Sequence, residues 1–182
     1  MASMIPGANA ALTAENPGLS ELLIGFGWEI IASHGPQSEL VPLAIMCDAD
    51  GKSLSNDHLV FFNQIVSADG SLEFRDDRDD EEIDVDLSRV PDEVAKIVFV
   101  VYIDPDVRGA GDFASVRSAY MRIATSDNRE LVRFDLPGGN RSIDVLMFGE
   151  LYRHRADWKF RALGQGYSTG LRGVAADFGI DL

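Results

Sequence analysis

The chain reads as mainly β, a two-sheet antiparallel β-sandwich with two or three short peripheral helices. Three observations predict that class. Nine short apolar or alternating segments recur between turn signals at the spacing of strands. Their composition is rich in aromatic and β-branched residues, which suit a pleated, half-buried surface. Nine strands are also too many for one flat sheet, so two packed layers are the economical solution.

In chain order, the predicted strands cover residues 22–28, 43–47, 59–66, 71–74, 83–87 and 97–103, and then 131–136, 143–152 and 158–163. Asp50-Gly51 and Asp69-Gly70 supply glycines for tight reversals, and Pro137-Gly138-Gly139-Asn140 marks another, so neighbouring strands should run antiparallel. Asp112 can cap a helix on which Phe113, Val116, Tyr120, Ile123 and Ala124 form one apolar stripe. A second helix is expected to start after Ser168 or Thr169, carry Leu171, Val174, Ala175 and Phe178, and stop at Gly179. Residues 91–96 have room for a single turn. No internal repeat, low-complexity linker or composition break divides the chain, which predicts one domain over residues 1–182.

Composition narrows the function classes. The 182 residues carry 16 Lys and Arg against 30 Asp and Glu, a formal charge of -14 that repels phosphate backbones and anionic membranes. No nucleic-acid partner is expected. The longest apolar runs, 42–47 and 97–103, fall far short of the ~20 residues of a transmembrane helix, so no membrane insertion is expected either. The first 13 residues lack the cationic opening and apolar stretch of a signal peptide. The single cysteine, Cys47, has no disulfide or zinc partner and sits in an apolar run, which fits a buried thiol in a reducing cytoplasm.

The most unusual stretch is 76–86, where eight of eleven residues are carboxylates and one, Arg78, is a cation. From Glu82 onward it alternates, placing Ile83, Val85 and Leu87 on one face and Glu82, Asp84 and Asp86 on a solvated one. The preceding acids, 76–81, follow no such alternation. Crowded hard oxygens are what calcium needs for its 6 to 8 ligands, although plain surface charge accounts for them as well.

Other motifs fail on context. Asp48-Ala49-Asp50-Gly51 echoes an EF-hand loop, but the first and twelfth positions hold Met46 and Asp57. Gly166-Tyr167-Ser168-Thr169-Gly170 matches the serine-hydrolase elbow, yet His34, His58 and His154 all precede Ser168, against the chain order of that fold. Hydrolytic chemistry would need His154 or Ser168 to meet partners in a pocket that no motif reveals.

An ordered set of segments resembles the TerD family of tellurite-resistance and stress-response proteins. It runs from Pro6-Gly7-Ala8-Asn9 through Gly25-Phe26-Gly27-Trp28, Asp48 to Lys52, Val60-Phe61-Phe62-Asn63-Gln64 and Asp79-Asp80-Glu81. It ends with Glu150-Leu151-Tyr152-Arg153, Trp158-Lys159-Phe160-Arg161-Ala162-Leu163-Gly164-Gln165-Gly166 and Phe178-Gly179. The resemblance implies a cytoplasmic, non-catalytic, calcium-binding β-sandwich that works with other tellurium-resistance or stress proteins. Asp79, Asp80 and Glu81 carry over by motif as ligands of Ca²⁺, and local acidity adds Glu39, Asp76 and Asp77. Where the family has Asp-Leu-Asp this chain has Glu39-Leu40-Val41, and the compact segment 74–78 replaces a longer glycine-rich one. Two alternatives stay open: a relative without metal whose acidic face recruits a basic partner, and a hydrolase of unrecognised type.

Overall fold

The computed structural model describes residues 4–30, 40–75, 79–103, 113, 116–137 and 143–181. Alternation along the chain decides the layers. In β2 (Glu21–Ile30), Leu22, Ile24 and Phe26 point inward, while Gly25 and Gly27 fall on the opposite face. Around it, β5 (Leu72–Arg75), β6 (Glu81–Asp86), β8 (Val116–Thr125) and β9 (Glu130–Pro137) complete a five-stranded sheet in the order β5-β6-β2-β8-β9. The facing six-stranded sheet runs β1-β11-β10-β7-β3-β4. Its members are β1 (Asn9–Ala11), β3 (Leu40–Cys47), β4 (Leu59–Val60), β7 (Lys96–Ile103), β10 (Val145–His154) and β11 (Asp157–Tyr167). The pairings are antiparallel throughout the described strands.

The core lies between the layers. Phe26 and Phe134 from one sheet meet Phe99 and Phe148 from the other, with ring centroids 6.1–6.3 Å apart in tilted and edge-on contacts. Such geometry suits the aromatic quadrupole. Gly149 follows a bulge in β10, and a Cβ there would lie 2.4 Å from Phe160 Cζ, so glycine is what lets that ring close over the strand. A second apolar cluster covers the outer face of the six-stranded sheet, where Val174 and Phe178 of α1 (Gly170–Phe178) pack on Ile45, Cys47 and Val98. Gly179 ends that helix in the left-handed conformation, as its position predicted.

Chain crossings bridge both lateral rims. On one side Met4 N–H donates to Arg133 O of β9 and Gly7 N–H to Ala162 O of β11. On the other, residues 61–64 close a tight reversal beyond β4, and Phe74 N–H of β5 donates to Ile65 O. The strand expected over 59–66 therefore ends at Val60. A separate clamp holds the turn before β7. The Arg153 guanidinium donates to the carbonyls of Val94, Val90 and Pro91 at 2.8, 3.2 and 3.1 Å, with its Cζ 4.4 Å from the Trp158 ring centre.

Three expectations are corrected. The segment following Asp112 is no helix over its described part: β8 is a strand beside β2, at the heart of the five-stranded sheet. Residues 116–125 carry two periodicities at once, and the core takes Ala119, Met121 and Ile123 at period two rather than the helical stripe through Tyr120. Glu82 is not solvated but 2% exposed, because the outer face of this sheet is partly covered. At the start of α1, Thr169 occupies the cap position without a side-chain cap bond, and the Asp144 carboxylate takes the Gly170 N–H instead at 3.0 Å.

Candidate functional site

The outer face of the five-stranded sheet carries the charged constellation. Register brings Gly25 of β2 opposite Arg122 of β8 and Gly27 opposite Tyr120. The two glycines leave a slot on that face. Tyr120 lies over Gly27, where a Cβ would come within 2.2 Å of its ring. The bend at 79–80 that leads into β6 lays the Asp79 carboxylate directly on Gly25, 2.2 Å from where a Cβ would stand.

Asp79 is held there from two sides. Its Oδ1 accepts from the Tyr120 hydroxyl at 2.5 Å and from Arg122 Nε at 3.1 Å, and its Oδ2 accepts from Arg122 Nη2 at 3.0 Å and Nε at 3.2 Å. The two side chains are only 7% and 11% exposed. Arg122 Nη2 also donates to Asn128 Oδ1 at 2.5 Å, and Arg133 stacks 4.0 Å over the Tyr120 ring. The bond to Asp79 raises the Arg122 pKa further. Burial, then the same carboxylate, pushes the Tyr120 hydroxyl well above the usual phenol range. The cluster is therefore a fixed ion pair, held by charge-assisted bonds.

The other sequence-derived ligands are dispersed. Asp80 Oδ2 accepts the Trp28 N–H at 2.8 Å, and Glu81 opens β6 opposite Phe26. Glu39, Asp76 and Asp77 lie outside the described residues. Among the described residues, no three His, Cys, Asp or Glu side chains converge in a way that could hold a metal ion. Asp79 fits a calcium set poorly, since its carboxylate already carries a guanidinium as counter-ion, whereas Asp80 and Glu81 are oxygen donors of suitable chemistry. Asp48 is absorbed locally, its Oδ1 accepting the N–H groups of Asp50 and Lys52.

A cavity of about 390 Å³ opens on the same face toward the start of β2. Its lining includes Leu23, Glu73, Arg75, Asp84, Asp86 and Arg89, and Arg75 bridges Asp84 at 2.8 Å and Glu73 at 3.1 Å. No histidine or cysteine stands among its described lining residues. The Ser55 hydroxyl meets His58 Nδ1 at 2.7 Å, but that exposed pair caps a 3-10 turn. Of the elbow-like residues 166–170, Tyr167 donates its hydroxyl to Asp177 at 2.8 Å and Gly170 its N–H to Asp144 at 3.0 Å. Among the described residues no helix is long and apolar enough to cross a membrane.

Residues 1–178 match the TerD domain family. The tellurium resistance protein TerD of Serratia marcescens is 36% identical, covering 98% of this chain and 97% of its own length. General stress protein 16U of Bacillus subtilis (strain 168) is 35% identical over 99% and 98%. Among solved structures, a homologue of the telluride resistance protein from Streptomyces coelicolor A3(2) superposes with a TM-score of 0.66 at 22% identity, covering 87% of this chain and 96% of that one. That likeness shows the fold.

Proposed function

The chain belongs to the TerD domain family, and from that membership we propose that it is a cytoplasmic, non-catalytic protein of the tellurium-resistance and stress-response kind that takes up Ca²⁺ at its acidic turn. The single observation that carries this reading is the family match across nearly the whole chain, with relatives named for resistance and stress. The ion's donors are Asp76, Asp77, Asp80 and Glu81, from the segment in which eight of eleven residues are carboxylates, joined by Glu39. Hard carboxylate oxygens suit calcium. Binding partners among other tellurium-resistance or stress proteins belong to the same reading, as does the reducing compartment that an unpaired Cys47 suits.

Calcium titration of chelator-treated protein by calorimetry tests the ion. A ligand that binds only the folded state at 100 times its Kd stabilises by ~2.7 kcal/mol. For a chain of this size that raises the melting temperature by roughly 5–11 °C. Neither heat nor a shift would remove calcium. The charge of -14 then favours the second reading, a scaffold whose acidic surface recruits a basic partner.

A further inference from the structure

We infer that Arg122 is the resident counter-ion of Asp79, and that this pairing withholds Asp79 from metal coordination: a guanidinium of the chain does at this carboxylate what a divalent ion would otherwise do. Only the calcium arm of the test rests on the function proposed above.

The lone pairs decide the matter. A carboxylate offers about four acceptor positions. Asp79 accepts three hydrogens at 2.5–3.2 Å, from the Tyr120 hydroxyl, Arg122 Nη2 and Arg122 Nε, the last shared between both oxygens, which leaves at most one acceptor position open. A calcium ion taking both oxygens would have to displace the Tyr120 hydroxyl or the Arg122 fork. Displacing the fork would strand a guanidinium whose side chain is 11% exposed, and uncompensated charge at such a site is costly. Leaving it in place would set two cations against each other across one carboxylate.

The seat is also built for this pair. Gly25 removes the side chain that would lift Asp79 off the strand, and Asn128 fixes the free edge of the guanidinium. Asp79, Gly25 and Arg122 come from the lead-in to β6, from β2 and from β8, three neighbours in one sheet, so the pair pins the entry of β6 onto the sheet without any ion.

The test compares the full chain with Asp79→Asn, Arg122→Gln and the double variant, by thermal melts in excess chelator and by calcium calorimetry. Each single variant should lose roughly 6–20 °C in chelator, the range for breaking one buried pair in a chain of this size. The double variant should lose little more than the worse single one, because both remove the same interaction. The calcium Kd of Asp79→Asn should stay within about twofold of the unaltered protein, a difference well under a tenfold step. A tenfold or larger weakening, roughly 1.4 kcal/mol, or an Asp79→Asn melt equal to the unaltered one, overturns the inference. If the unaltered protein takes up no calcium, the proposed function loses its ion and the chelator melts alone decide here. Should a charge variant fail to fold, Tyr120→Phe and Gly25→Ala serve in the same melts: a loss in both supports the pairing and no loss in either sinks it.

Discussion

Replacing Arg153 with alanine should be among the most damaging single changes outside the core. Its guanidinium makes three charge-assisted bonds to the carbonyls of Val90, Pro91 and Val94 and lies 4.4 Å from the centre of the Trp158 ring. A bond to a charged group contributes about 1.5–3 kcal/mol. Two of the three bonds share one nitrogen, and the site is half-buried, so water reclaims part of the loss. Counting two effective bonds at the low end, with ~0.5–1 kcal/mol from the ring contact, gives about 4 kcal/mol. The melting temperature should fall by roughly 8–16 °C, and the urea midpoint should drop with an unchanged slope. Arg153→Lys keeps the charge but not the fork, and should recover about half of the difference. A loss below about 2 °C for Arg153→Ala would mean that the clamp contributes under ~1 kcal/mol, and the reasoning would fail.

Cys47 should resist thiol reagents in the native state at pH 8 and react once denaturant is added, because burial pushes its pKa up to about 12; rapid native labelling would contradict that burial. Asp69 is raised by burial but lowered further by bonds from the Ser71 hydroxyl and N–H and the Ser67 hydroxyl, so its folded pKa lies below the ordinary 3.8. A depressed carboxyl stabilises the fold above its unfolded value and loses that contribution as pH falls through the folded one. Asp69→Asn should therefore flatten the acid limb of stability below about pH 4, where the unfolded group titrates, and leave its shape near neutrality unchanged; parallel acid limbs for the two proteins would refute the assignment.

Strand alternation was legible wherever one face meets the core. Ile83 and Val85 faced inward as expected, and Gly179 stopped its helix where glycine at that position should. What the sequence concealed was long-range. Reading 113–124 as a helix placed Tyr120 on an apolar stripe and left Arg122 unassigned, so the cation bound to Asp79 stayed hidden 43 residues away. Had period two been preferred there, Tyr120 and Arg122 would have fallen together on the outer face, opposite the two glycines of β2. The burial of Glu82 was equally invisible, since alternation tells which face a side chain takes but not what lies over that face.

The stitched rims bear on how such a protein meets others. Where Met4 and Gly7 tie β9 to β11, and Ile65 ties the end of β4 to β5, the outer edges at Arg133, Ala162 and Phe74 already hold a backbone partner of the same chain. A foreign strand laid along either rim would have to break register or displace the chain's own crossing at those positions.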